Sequence, residues 1–310
     1  MSVIGIDTSN YTTSIAFFDG TQGENCSRLL PVKAGELGLR QSDAVFAHVK
    51  SLPELSGRLF SHIQAENITA VGVSTRPRAV EGSYMPCFLA GHSQAQVLAQ
   101  ALRVPLYEFS HQQGHIAAAL WSADRMDLID KPHLAWHLSG GTTELLYIHT
   151  EDGQIIADKI GGTSDISAGQ LIDRTGKLLG CQFPAGKQID RMAAESDTKD
   201  VFGVRLRGLE FSFSGVENQV QRYYADHQDA NATARFALQS VIRTIIKATK
   251  AARKEYPGLP VVFSGGVASN SLLRKSCQGL DAVFAAPEYS TDNAMGIALL
   301  AWLRGQEHGA

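Results

Sequence analysis

The chain has 310 residues, of which 44% are hydrophobic and 19% charged, and its net charge is -3. These values exclude a disordered or fibrous chain, and the length suits two lobes of ordinary domain size better than one small core. The slight acidity excludes attraction of the whole chain to nucleic acid, so an RNA contact would have to come from a local basic patch or from partner proteins.

In chain order, residues 3 to 6 form an apolar run that breaks at Asp7-Thr8-Ser9-Asn10. Thr12 to Phe18 reads as a returning strand that ends at the turn signal Asp19-Gly20, and Glu24 to Leu30 as a third strand. Gln41 to Gln64 has helical periodicity with an expected interruption at Pro53. The buried-type strand Ala70 to Ser74 empties into a loop rich in turn formers and charge, Thr75 to Ser83, before a helix from about Met85 to Leu102. A strand from Val104 to Phe109 then leads into Ser110-His111-Gln112-Gln113-Gly114-His115 and the apolar run Ile116 to Trp121.

A second hairpin follows, with His133 to Leu138 as a strand, Ser139-Gly140-Gly141-Thr142 as its loop and Thr143 to His149 as the return. At an offset of 130 residues, Ser9 falls on Ser139 and Thr12-Thr13 on Thr142-Thr143, so the two hairpins suggest a duplicated architecture. Beyond it come a strand near Gln154 to Ile160, a helix from Ser167 to Leu179 and a short helix carrying Asp190. An extended segment at Leu209 to Gly215 and a helix from Val216 to Tyr224 come next, and the longest helix spans Asn231 to Tyr256. The buried strand Leu259 to Ser264, the Gly265-Gly266 turn, a strand from Ala282 to Ala285 and a terminal helix complete the chain. This alternation predicts an α/β protein of two mixed-sheet lobes.

If Ile116 to Trp121 is the body of a helix, His111 and His115 project from one face of its first turn, within reach of a single ion. Asp292 could supply a third, oxygen ligand, or could serve only as the N-cap of the last helix. The pattern is not a metalloprotease motif, because Gln112 occupies the place of the glutamate base and an amide cannot accept a proton there. The two glycine loops at strand ends, Leu138 to Thr142 and Ser264-Gly265-Gly266, would let backbone amides approach a nucleotide closely, although neither has Walker or dinucleotide form. Cys26, Cys87, Cys181 and Cys277 stand singly, as buried thiols do, with no pair spaced for a zinc knuckle. The N-terminus lacks a basic n-region and no apolar run reaches membrane-spanning length, so a cytoplasmic protein with no membrane attachment is expected.

Taken together in order, His111-x-x-x-His115, Leu138-Ser-Gly-Gly, Ile172-Asp-Arg-Thr-Gly-Lys-Leu-Leu-Gly180, Phe183-Pro-Ala-Gly186, Phe211-Ser-Phe-Ser-Gly215, Ser264-Gly-Gly-Val-Ala-Ser-Asn270 and Pro287-Glu-Tyr-Ser-Thr-Asp-Asn293 resemble the tRNA threonylcarbamoyladenosine synthase (Kae1/TsaD) family. The resemblance implies a two-lobed actin-like ATPase fold with duplicated mixed-sheet lobes and an interlobe cleft. Residues 1–131, completed by 292–310, would form the first lobe and 132–291 the second. It further implies one divalent ion, iron or zinc, on His111, His115 and Asp292. An adenine nucleotide or acyl-adenylate would be bound by Leu138, Ser139, Gly140, Gly141, Thr142, Asp173, Gly186, Asp190 and Asn270, and the Gly265-Gly266 turn joins that set as the second glycine loop. The implied reaction moves a threonylcarbamoyl group from its anhydride with AMP to the N6 amine of a tRNA adenosine, with protein partners of the same pathway.

The sequence departs from the family pattern at three places. Asn10-Tyr11-Thr12 stands where Cys-Asp-Glu is usual, Thr142 replaces a histidine, and Arg76-Pro77-Arg78 replaces Gly-Pro-Gly. Transfer of a carbamoyl or phosphoryl group to another acceptor, or a non-catalytic nucleotide-binding role, are therefore the alternatives to tRNA modification.

Overall fold

The computed structural model describes residues 2–9, 11–31, 39–61, 63–151 and 153–308. The chain divides into two compact units, residues 1–129 with 292–310, and residues 130–291. Asn10 lies outside the described residues.

The first unit begins with β1 (Ser2–Asp7), β2 (Thr12–Phe18) and β3 (Gly23–Leu29), followed by α1 (Gln41–Phe60), β4 (Ile68–Arg76), α2 (Phe88–Leu102), β5 (Leu106–Ser110) and α3 (His111–Ser122). Its sheet order is β3-β2-β1-β4-β5, with β1 antiparallel to β2 and parallel to β4. Because side chains alternate along a strand, Ile4 and Ile6 of β1 and Val71 and Val73 of β4 join Leu52, Leu55 and Ala95 in one core layer. The intervening Gly5 and Gly72 face the other way. Helix α1 runs unbroken through Pro53, contrary to the interruption expected from the sequence. Val49, whose carbonyl loses its helical partner to the proline ring, is on the exposed side, where water can take the missing bond.

The second unit contains β6 (His133–Leu138), β7 (Thr143–Glu151), β8 (Gln154–Thr163), α4 (Ala168–Leu178), α5 (Gly186–Ala194), β9 (Glu210–Phe211), α6 (Ser214–His227), α7 (Ala230–Glu255), β10 (Val261–Ser264), α8 (Ser271–Ser276) and β11 (Ala282–Phe284). Its sheet order, β11-β10-β6-β7-β8-β9, holds the same arrangement as the first sheet with one added edge strand. An antiparallel three-strand meander, β6 to β8, leads into two strands parallel to β6 in both cases. The two hairpins read from the sequence are therefore the opening elements of equivalent sheets. Trp136, Leu145, Phe211, Phe213 and Phe263 fill the core with the apolar face of α7, and the Trp136 indole N–H is satisfied by Thr249 Oγ1 at 2.8 Å.

The last helix, α9 (Met295–His308), returns to the first unit and packs on β1, β4 and α3. Glycines make this possible. A Cβ on Gly296 would lie 1.8 Å from the Gly114 carbonyl oxygen, and one on Gly5 would lie 2.5 Å from the Ala298 nitrogen. The backbones of α3 and α9 thus touch at Gly114 and Gly296, which fixes the position of the residues just before α9.

Candidate metal centre and glycine loops

Helix α3 begins at a capping box. Ser110 Oγ accepts the Gln113 N–H at 3.2 Å while Gln113 Oε1 accepts the Ser110 N–H at 2.8 Å. The Gln112 N–H donates to the Pro77 carbonyl at 3.1 Å, so the loop after β4 satisfies another free amide of the first turn. With the helix start held at both points, His111 and His115 sit one turn apart with ring centroids separated by 4.3 Å.

Asp292 meets them through the α3–α9 crossing. Its Oδ1 is 3.5 Å from His111 Nε2 and 3.3 Å from His115 Nε2, and one ligand atom from each of the three residues lies within 4.8 Å of the others. Beside it, Asn293 Oδ1 accepts the N–H of Met295, the first residue of α9, at 3.1 Å. Two imidazoles and a carboxylate form a donor set that suits zinc or ferrous iron.

The sequence reading did not nominate the residues behind this trio. Asp7, fully buried at the end of β1, accepts from His111 Nδ1 at 3.1 Å, from Ser9 Oγ at 2.7 Å and from Ser74 Oγ. A carboxylate on Nδ1 favours a proton there and leaves Nε2 as the nitrogen that could face an ion. Burial would raise the Asp7 pKa, but His111 and the two hydroxyls hold it below the usual carboxylate range. Burial also opposes a charge on His111, yet Asp7 and Asp292 together lift its pKa to about 10. For His115, burial and the neighbouring His111 charge lower the pKa. Burial works against a charge on Asp292 as well, and hydrogen bonds from both histidines keep it ionised. Further back, buried His48 of α1 pairs through Nδ1 with Thr13 Oγ1 at 2.8 Å. The available signal was an acid closing an all-apolar strand, Val3-Ile4-Gly5-Ile6-Asp7, where a buried carboxylate needs partners.

In the second unit the glycine loops are held by their own polar groups. The Ser139 N–H donates to the Thr142 carbonyl at 2.9 Å, the Thr142 N–H to Ser139 Oγ at 3.0 Å, and Ser167 Oγ to the Gly140 carbonyl at 2.7 Å. Gly265 has φ +91° and packs on Leu138, whose carbonyl oxygen would be 2.3 Å from an added Cβ. Only glycine fits that turn, so the two loops are in direct contact. Asp190 Oδ1 accepts from Asn270 Nδ2 at 2.8 Å and from Ser271 Oγ at 2.9 Å, bringing two further nominated residues together at the start of α8. Asp173 accepts the Ala185 N–H at 2.8 Å, next to Gly186, and burial raises its pKa. Gly141 and Gly266 are not crowded, and Gly186 opens α5.

One hub here also escaped the sequence reading. Asp165 accepts from the hydroxyls of Ser212 and Ser214, from the Phe213 N–H at 2.8 Å and from Thr163 Oγ1 at 3.1 Å, anchoring the Phe211 to Gly215 motif. Burial would raise its pKa, and these donors hold it well below the carboxylate range. Among the departures from the family pattern, Tyr11 is half-buried and Thr12 buried, while Arg76 ends β4 with Nη1 3.4 Å from Thr75 Oγ1.

Two units with the same meander-plus-parallel sheet define an α/β protein of the actin-like ATPase fold. Solved structures agree: full-length HypF superposes with a TM-score of 0.62 at 14% identity, over all of this chain and 56% of that one. The Acidaminococcus fermentans (R)-2-hydroxyglutaryl-CoA dehydratase component A gives 0.60 at 16% identity over 99% of both chains. The chain belongs to the TsaD family, tRNA N6-adenosine threonylcarbamoyltransferase, whose model matches residues 38–299. Relatives bearing that name include one from Sulfurihydrogenibium sp. (strain YO3AOP1), 31% identical over all of this chain and 92% of its own length. Another, from Thermus thermophilus, is 32% identical over 99% of this chain and 94% of its own length.

Proposed function

We propose that this protein transfers a threonylcarbamoyl group from threonylcarbamoyl-AMP to the N6 amine of an adenosine next to a tRNA anticodon. The observation that carries the reading is the convergence of His111, His115 and Asp292 in a chain whose family and near full-length relatives bear the name of that activity. The amine would form the new C–N bond at the carbamoyl carbon as the bond from that carbon to the AMP phosphate oxygen breaks, AMP leaving with the bonding pair and the amine proton passing to water, so no covalent enzyme intermediate is needed.

His111 and His115, through Nε2, and Asp292 would hold one iron or zinc ion. Such an ion, when bound, supplies Lewis-acid polarisation of a carbonyl or phosphate oxygen. The chain's own contribution is orientation: Asp7 keeps the proton on His111 Nδ1. The acyl-adenylate would be bound by the Leu138 to Thr142 loop, the Gly265-Gly266 turn, Asp173, Gly186, Asp190 and Asn270. Backbone N–H groups of the glycine loops would receive negative charge on the departing AMP.

Protein partners of the threonylcarbamoyl pathway fit the exposed apolar side chains of α1 and α2, among them Phe46 at 66% and Val97 at 62% exposure. No described helix is long and apolar enough to cross a membrane, and we place the reaction in the cytoplasm. A second reading, transfer to a different acceptor, is favoured by Thr142 and Arg76-Pro77-Arg78, which replace family residues.

Purified protein given threonylcarbamoyl-AMP and unmodified tRNA, with and without pathway partners, is expected to yield threonylcarbamoylated adenosine. Adenylate binding without any modified nucleoside would overturn the transferase reading.

A further inference from the structure

Helix α7 presents one face, Arg235, Gln239, Ile242, Arg243 and Ile246, to a cavity of about 530 Å³ in the second unit. These positions lie at i, i+4, i+7, i+8 and i+11, so they form a stripe along the helix. The opposite wall comes from α8 through Leu272 and Lys275 and from the segment before β9 through Lys199. Four of the lining residues, Lys199, Arg235, Arg243 and Lys275, are cationic and none is acidic, although the chain as a whole carries -3.

The framework of this groove is fixed. Arg235 donates from Nε to the Thr198 carbonyl at 3.1 Å and from Nη1 to the Ala193 carbonyl at 3.0 Å, and the Gln239 amide donates to the same Thr198 carbonyl at 3.0 Å. Lys199 therefore projects from a clamped backbone. Its acidic neighbour Asp200 is engaged by Tyr223 Oη at 2.9 Å and Thr198 Oγ1 at 3.0 Å. Lys199, Arg243 and Lys275 are exposed, and their charged side-chain ends form no hydrogen bond or ion pair with another described residue. Like charges gathered on one concavity repel, and a polyanion relieves the repulsion.

We propose that this groove docks the sugar-phosphate backbone of the acceptor RNA, an inference that rests on the tRNA-modifying reading above. Ile242, Ile246 and Leu272 offer an apolar floor against which ribose can lie, with cations at the rim for the flanking phosphates. No aromatic side chain lines the groove to stack a base, so the contact positions the RNA without reading its sequence. The local patch supplies what the net charge of the chain does not.

The test is binding of labelled unmodified tRNA to the full-length protein across a salt series, comparing wild type with the triple variant Lys199→Gln, Arg243→Gln, Lys275→Gln. Removing three phosphate contacts is expected to weaken binding at least about tenfold near 0.1 M salt and to make the slope of log K against log salt shallower by about 2. Each single Gln variant should change the slope by roughly 0.7, and Arg243→Lys should keep it. Unaltered adenylate binding and melting temperature in the singles separate this effect from misfolding. Unchanged tRNA affinity and slope in the triple variant would overturn the groove and leave the transferase reading standing. Displacement of tRNA from wild type by inorganic phosphate, at levels too low to change ionic strength, would make it a small-anion site and also overturn the proposal. Wild-type protein that neither binds nor modifies tRNA would overturn both.

Discussion

Asp7 accepts a hydrogen bond from Nδ1 of His111 at 3.1 Å, across 104 residues of sequence, and so turns the other imidazole nitrogen toward Asp292. A buried carboxylate in this position would act on a metal through the histidine. Asp7→Asn is expected to lower iron or zinc affinity by about 10- to 100-fold. His111→Ala or Asp292→Ala should lower bound metal further, as read by elemental analysis of the purified variants. Wild-type metal content in all three would eliminate the centre.

The same centre depends on Gly296, because the backbones of α3 and α9 meet there. Gly296→Ala places a methyl group against the Gly114 carbonyl and must move α9. Overpacking of this kind costs about 1–3 kcal/mol, and Asp292 would shift with the helix. Denaturant midpoints should fall and metal content should fall with them. A variant of normal stability and normal metal content would show that the crossing is not what positions Asp292.

His48 gives a pH signature of folding. Burial lowers its pKa from 6.5 to about 4, against the opposing pull of Asp7 and Asp292. Between those values the unfolded chain binds a proton that the folded chain does not. The neutral His48 contribution is therefore complete above pH 6.5 and is lost as pH falls toward 4. From pH 7 to pH 5 the loss is about 2 kcal/mol. Urea unfolding of His48→Gln at the two pH values should show a correspondingly smaller difference than wild type, and an equal difference would refute the assignment.

Asp165 ties the Phe211 to Gly215 segment to the end of β8 through its hydroxyl and amide donors. Its carboxyl is partly exposed to solvent, so Asp165→Asn should cost only about 1 kcal/mol. The folded pKa is depressed, so this stabilisation is present above the ordinary carboxylate pKa and fades as pH falls below it. Thermal melts at neutral pH and below pH 3.8 can follow both effects. An Asn variant as stable as wild type at neutral pH would show that the hub is dispensable.

In the second unit, Asp190 orients Asn270 and the start of α8. Asp190→Ala and Asn270→Ala are expected to weaken AMP binding about tenfold or more, measured by calorimetry. Wild-type affinity in both would remove these residues from the nucleotide site.

Fold class and local chemistry were legible in the residues alone. Hydrophobic periodicity, turn residues and short-range spacing act within a few residues, so the strand-loop-strand repeat, the histidine pair on one helix face and the glycine turns could all be read before any packing was known. Helix α1 shows a limit, since Pro53 reads locally as a break while packing of the helix on the sheet carries it through. Which distant groups meet was settled by packing. Asp7, with Ser74 behind it, and Asp292 reach the histidine helix through the strand order β2-β1-β4 and the Gly114–Gly296 contact. The cationic face of α7 likewise becomes a groove only when α8 and Lys199 close on it. Such contacts depend on how elements pack, and packing is set by many weak interactions summed over the whole chain, so no single stretch of sequence carries the information.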